Sequence, residues 1–373
     1  MNRKQLTLSV VVLFALVVSA CAPILVSQPQ TPAEGFPTAA IATVPETESG
    51  EPLEVKVLTV AMFEVGESTG DFPGEVQLWV EGEEMTQEYD VTGAFSPVYC
   101  NKAGFCAMVT GMGTANAAAS LMAVGLDPQF DLTKTYIMVA GIAGTPPDDG
   151  TLGAAAWAEW VVDGDLAHEI DSREIPESWD YPLFRLGCAE PWCDGGWSSG
   201  TDVFHLNADL AEWSYQLSKD VELFDSEGAP DYRANYPEGL PARQTPFVTK
   251  CDSFAASTYW HGALLSDWAE WWTDQLTDGQ GNYCMSNMED SGTLTSLSRL
   301  SDAGLLDLDR VAVLRTASNF DQQYPGQTAA ESVRAENDGF MPSVQNAYRV
   351  GSAAAQHIVD NWEEWKDGVP SLP

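Results

Sequence analysis

From residue 53 onward, short apolar runs alternate with amphipathic stretches. "LEVKVLTVAMF" (53–63) is apolar and rich in β-formers, and it predicts the first core strand. "FSPVYC" and "FCAMVTG" predict a hairpin. "TANAAASLMAVGL" (114–126) predicts an Ala-rich helix, and "TYIMVAGIAG" (135–144) a buried strand ending in small residues. "AAAWAEWVVDGDL" (154–166) holds too many bulky β-formers for a helix and reads as a strand. Beyond it the pattern gives a helix near 205–221, a strand near 246–251 and a helix near 263–276. A strand near 284–288, a helix near 290–303 and a strand at 310–318 form one β-α-β step, and a long helix ends the chain. Apolar strands alternating with helices predict an α/β fold: a mixed, mostly parallel sheet covered by helices on both faces, three layers in all.

Ligands of such sheets sit beyond the carboxyl ends of the strands. Six predicted strand ends carry small or polar residues: Met62-Phe63, Thr110-Gly111-Met112-Gly113, Gly141 to Gly144, Asp252-Ser253-Phe254, Met288-Glu289 and Ser318-Asn319. Together they are what a shared cleft requires. "TGMGTANAAAS" is a Gly-rich turn entering a helix, which lets a backbone approach a ligand and offers unpaired N–H groups. It contains no Lys or Arg to hold a phosphate. Taken alone, the turn is also a tight strand-helix connection, and "NMEDSG" (287–292) is also a helix N-cap followed by a turn.

The N-terminus adds an address. Arg3 and Lys4 precede an apolar run from Leu6 to Val18, too short to span a bilayer, which ends in "VSAC". This looks like a bacterial lipobox with Cys21 as the lipid-bearing residue; an ordinary signal cut after "VSA" is the alternative. The expectation is a lipoprotein signal over 1–21, a Pro/Thr/Glu-rich tether over 22–52 and one large domain over 53–373. Such a protein sits outside the cytoplasm and touches the membrane only through its lipid anchor.

Fifty-five acidic residues face 17 basic ones, a formal net charge of −38, which argues against nucleic acid as a partner. Of seven cysteines, Cys21 is assigned to lipid; proximity then pairs Cys100 with Cys106, Cys188 with Cys193, and Cys251 with Cys284. His168, with Asp163, Asp165, Glu169 and Asp171 nearby, invites a metal, but the Asp residues alternate along a probable strand, and no metal is expected. The Trp-rich run 268–272 reads as core or interface.

"TGMGTANAAAS" followed by "VAGIAGTPPDDGTLGAAAWAEWVVDGD" resembles the nucleoside phosphorylase and nucleosidase superfamily, as do "CDSF", "NMEDSG" and "VLRTASNFD" in the same order. "FDLTKTY", "AGIAG", "VVDGDLAHEIDSREIP", "YWHG", "MEDSGTL" and "LRTASNFD" resemble the family named purine nucleoside permease, over nearly the whole chain after the tether. The resemblance implies a nucleoside phosphorylase-like fold and a purine nucleoside ligand. It assigns Met288 and Glu289 to the ribose, and Phe254 and Ala255 to stacking on the purine and contact with its edge. Asn319 stands where many relatives carry the Asp that protonates N7, so Asp321 becomes a candidate proton donor, with helix capping as its other reading. Glu75 looks like the Glu that orients water in nucleosidases, with Glu64 and Glu67 as alternatives. Thr110 to Gly113 and Ser318 complete the expected binding set. The implied function is nucleoside binding linked to uptake, with a membrane transporter as partner. Cleavage of the N-glycosidic bond, by hydrolysis or with phosphate as co-substrate, is the alternative, and a structural lipoprotein with a vestigial cleft is a third reading. No other cofactor is expected, and a homo-oligomer stays open.

Overall fold

The computed structural model describes residues 51–193 and 195–372. The leader, Cys21 and all but the last two residues of the tether lie outside the described residues. Eight strands matter for the site: β1 Val57–Ala61, β2 Phe105–Val109, β3 Tyr136–Thr145, β4 Ala155–Ala158, β5 Trp160–Asp163, β6 Asp252–Ala255, β7 Tyr283–Asn287 and β8 Val311–Phe320. Five helices accompany them: α1 Thr114–Gly125, α2 Ala208–Ser218, α3 Ala263–Thr277, α4 Asp290–Asp302 and α5 Phe340–Asp360.

β2, β1, β3 and β8 lie side by side and parallel. Their residues are buried on both faces, which is why they appear in the sequence as continuous apolar runs. Leu58, Val60, Ile137, Val139, Val311 and Val313 face one layer, where α1 and α4 contribute Leu121, Val124, Leu294, Leu297 and Leu300. Val57, Ala61, Met138, Ala140 and Leu314 face the other, where α5 contributes Val350, Ala354 and Ile358. This is the expected three-layer arrangement. Beyond β8 the sheet curls: β8 pairs antiparallel with β4, β5 pairs parallel with β6, and β6 pairs parallel with β7. β7 returns to β3 through Ser286 opposite Gly144. Because β4 and β5 are one stretch interrupted at Glu159, the ladder closes on itself.

Asp252 holds that interruption. One carboxylate oxygen accepts the N–H groups of Glu159 (3.0 Å) and Trp160 (2.8 Å), and the other accepts that of Asn282 (2.6 Å). Asp252, Ser253 and Phe254 therefore open a strand, which corrects the expectation that they end one. The first strand is also split, since Leu53–Glu54 pairs with Phe130–Asp131 before β1 begins. The helix expected near 205–221 is shorter: His205 belongs to a strand, and the Asn207 side chain caps α2 by accepting from Asp209 (3.1 Å) and Leu210 (3.4 Å) N–H groups. The C-terminal helix begins at Phe340 and breaks at Asn361, leaving Trp362–Trp365 as a separate turn. The three disulfides join the cysteines paired by proximity. The Trp-rich run lies on α3, where Trp268 and Trp272 are core.

Candidate functional site

At the carboxyl ends of β1, β3, β7 and β8 the chain leaves a cavity of about 250 Å³. β1 leads into Met62 and Phe63, and β3 lines the cavity with Ile142, Ala143 and Gly144. β7 and the turn after it supply Ser286, Asn287, Met288 and Glu289; β8 supplies Ser318 and Asn319. Glu75, Met112 and the half-exposed Tyr259 complete the wall. Among the described residues, no Lys, Arg or His lines it.

Glu289 is buried, and its carboxylate is fixed by the backbone. Gly113 N–H donates to Oε1 (3.1 Å), and Met288 N–H donates to Oε2 (3.2 Å). The Arg315 guanidinium adds a longer contact to Oε2 (3.4 Å). An ionised carboxylate has about four acceptor positions, so capacity remains for a ligand. Burial pushes the Glu289 pKa up, opposed by Arg315 and the Gly113 N–H.

Glu75 is the second buried carboxylate of the wall. Met62 N–H donates to Oε2 (2.7 Å) and Ile142 N–H to Oε1 (2.7 Å). Its pKa is pushed up to about 7, chiefly by burial, with Arg315 opposing and Glu289 reinforcing the shift. Arg315 lies behind the wall, paired closely with Asp290 and donating to Ile142 O (3.1 Å). Burial disfavours its charge, but Asp290, Glu289 and Glu75 outweigh this and its pKa is raised. Three carboxylates thus bear on one guanidinium, and Glu75 is the one that takes no direct hydrogen bond from it.

Of the residues singled out in the sequence, Met112, Glu75, Met288, Glu289, Ser318 and Asn319 line the cavity, and the Gly113 N–H donates to Glu289 at its wall. The other expectations need correction. Phe254 and Ala255 are fully buried and do not line it; the Phe254 ring packs edge-on against Trp260, Trp268 and Tyr283. The aromatic residues that line the cavity are Phe63 and Tyr259. Thr110 is also buried, its hydroxyl donating to Ala61 O (3.3 Å) and Gly111 O (3.1 Å), and Gly111 packs under Phe95. Asp321 sits one step behind Asn319, where its Oδ2 accepts from Ser266 (2.8 Å) and Tyr283 (2.6 Å) hydroxyls. Glu64 accepts N–H groups from Gly74, Val76 and Gln77, capping the turn into Gln77–Gly82, and Glu67 is exposed. Asp163 accepts from the Asp165 (3.0 Å) and Leu166 (2.8 Å) N–H groups of its own turn, and His168 lies against Phe184. Sequence reasoning missed Tyr259, Ser286, Asp290 and Arg315. Arg315 lies within "LRTASNFD" and was legible as a motif member; nothing in the pattern singled out Tyr259 or Ser286.

The family model described as purine nucleoside permease matches residues 54–370. A protein of Schizosaccharomyces pombe named as a probable purine nucleoside permease is 35% identical over 283 residues, covering 73% of this chain and 80% of the relative. A purine nucleoside permease of Candida albicans is 31% identical over 332 residues, covering 86% and 79%. Among solved structures, the chain is similar to a 5′-methylthioadenosine/S-adenosylhomocysteine nucleosidase from Neisseria meningitidis (12% identity, TM-score 0.48, 81% of this chain and 99% of that one). A futalosine hydrolase of Helicobacter pylori gives 11% and 0.47, covering 81% and 98%. With the family model spanning nearly the whole domain and both relatives above 30% identity, the chain belongs to the purine nucleoside permease family.

Proposed function

We propose that the cavity binds a purine nucleoside. Glu289 accepts the 2′- and 3′-hydroxyls of the ribose, Met288 lies against the sugar, and Tyr259 covers the base. Ser286 and Asn319 meet the imidazole edge of the purine. The observation that carries this reading is Glu289: a buried carboxylate held by two backbone N–H groups, open to a cis-diol. Relatives are named as purine nucleoside permeases, and no helix among the described residues is long and apolar enough to cross a membrane. The proposal therefore places the protein beside the bilayer, tethered through Cys21 outside the cytoplasm, handing nucleoside to a membrane-spanning partner.

A second reading, hydrolysis of the N-glycosidic bond, rests on Glu75. A carboxylate with a pKa of about 7 in a wall shared with Glu289 can orient water and take its proton. The absence of any cationic side chain from the lining favours water over phosphate as the attacking group. Incubating the protein with inosine, guanosine and adenosine, with and without phosphate, tests both readings. Free base without phosphate supports hydrolysis; a rise in melting temperature without free base supports binding alone. Base released only with phosphate would contradict the second reading, and no response of any kind would contradict both.

A further inference from the structure

A second pocket opens at the same edge of the sheet. Pro147 stands two residues past the end of β3 and Gln322 two past the end of β8, and both line a space of about 480 Å³. It shares no lining residue with the nucleoside cavity. Residues 324–327, "YPGQ", build one wall as a tight turn. Gln327 N–H donates to Tyr324 O (3.0 Å), and Gly326, with φ 93°, takes the position that needs a positive φ. Tyr236 builds another wall. Its hydroxyl donates to Gln322 O (2.8 Å), and its ring packs on Phe320 at 4.2 Å and edge-on to Tyr324 at 5.9 Å. The Ala242 N–H ties the segment after Tyr236 to Pro147 O (3.0 Å). These bonds form the pocket before any ligand arrives.

The lining decides what can enter. Tyr324, Pro147 and Pro325 offer flat apolar surfaces. Among the described residues that line the pocket, Asp148 is the one with a charge, and the whole chain is strongly acidic, so an anion is disfavoured. The Gln327 amide oxygen is buried and has no hydrogen-bond partner. Such an acceptor is costly until something brings it a donor. Gln322 Nε2 makes one long contact, 3.5 Å to the Ser266 hydroxyl, which leaves a donor for an incoming acceptor. A polyproline peptide would cover the apolar surfaces, but it has almost no N–H to give. A flat heterocycle with N–H groups and ring or carbonyl acceptors meets all three demands, and side-chain amides pair with base edges in this way.

We propose that this pocket is a separate binding site for a free purine base. A nucleoside suits it less well. Glu289, the carboxylate of the cavity, has no buried counterpart here, because Asp148 is exposed. The protein then holds a base and a nucleoside at once, at neighbouring strand ends, whether or not the cavity cleaves its ligand.

Calorimetric titration with hypoxanthine tests the proposal. The wild type should bind it at two sites per chain, since the cavity also takes the base of a nucleoside. Gln327→Leu and Tyr324→Ala should each weaken one site roughly tenfold and leave the other site and the affinity for inosine unchanged. Gln327→Leu removes an unpaired buried oxygen, so its melting temperature should equal or exceed that of the wild type, which separates lost binding from lost folding. Hypoxanthine binding that neither variant weakens, or none at all, would overturn the proposal. So would equal losses for inosine and hypoxanthine, or binding of free ribose in place of hypoxanthine that both variants weaken. One hypoxanthine site weakened by both variants, with no inosine bound, would remove the nucleoside reading of the cavity and leave this one standing.

Discussion

At Gly113 the backbone takes φ 89° and ψ 152°, a conformation that side-chain-bearing residues rarely adopt. It aims the Gly113 N–H at Glu289 Oε1. A Cβ at this position meets nothing closer than 3.9 Å, so the cost of Gly113→Ala is conformational rather than steric. The variant should lose about 1–3 kcal/mol of stability or relax its backbone. If it relaxes, Glu289 loses one charge-assisted hydrogen bond and nucleoside affinity falls roughly tenfold. Titration calorimetry and thermal unfolding read the two outcomes. Asp321 gives a second prediction at this scale. Its folded pKa of about 7 lies above its unfolded value of roughly 3.9, so ionisation costs stability. That cost is absent below the unfolded pKa, grows as pH rises and is complete above the folded pKa. Asp321→Asn should therefore melt higher than wild type at pH 8 and nearly level with it at pH 4. A constant difference across that range would contradict the burial argument.

The site depends on how α1 and α4 meet, because their N-termini carry Gly113 and Glu289. Gly292, in the first turn of α4, lies against α1: a Cβ there would sit 2.2 Å from the Thr114 carbonyl oxygen. Backbone cannot move aside as a side chain can. Gly292→Ala should cost about 1–3 kcal/mol by pushing the helices apart, and it should weaken nucleoside binding even though residue 292 lies outside the cavity. Unchanged melting and binding would show that the two helix ends are not coupled. These elements also show what was legible in the sequence. β1, β2, β3 and β8 were readable because strands buried on both faces leave uninterrupted apolar runs. The Met288-Glu289 and Ser318-Asn319 ends followed from the β-α-β step around α4. Phe254 was misassigned because a motif match carries over a role but not the direction in which the side chain faces. Only the register of β6 between β5 and β7 turns Phe254 towards the Trp268 and Trp272 layer. Tyr259 escaped because it comes from a loop, where no period operates. Glu75 came from resemblance alone, since what holds it is the Met62 and Ile142 N–H groups at two other strand ends, which no local pattern brings together.

Over the whole molecule the formal charge of −38 sets a background against which every local interaction acts. Like charges on a compact body repel one another, and salt screens them within roughly 30 Å at 0.01 M and 8 Å at 0.15 M. The melting temperature should therefore rise between those ionic strengths with an inert salt. A fall would mean that attractive pairs, such as Lys250 with Glu159 and Glu212, outweigh the repulsion. The same field discourages anionic ligands, in keeping with a cavity whose lining, among the described residues, holds two carboxylates and no cation.

The most direct test of the account is calorimetric titration of inosine and 2′,3′-dideoxyinosine into the wild-type and Glu289→Ala proteins. The account predicts saturable binding of inosine by the wild type. It predicts a loss on the order of 100-fold when either the carboxylate or the two hydroxyls are removed, with no further loss when both are absent. Inosine bound by Glu289→Ala with wild-type affinity would contradict it.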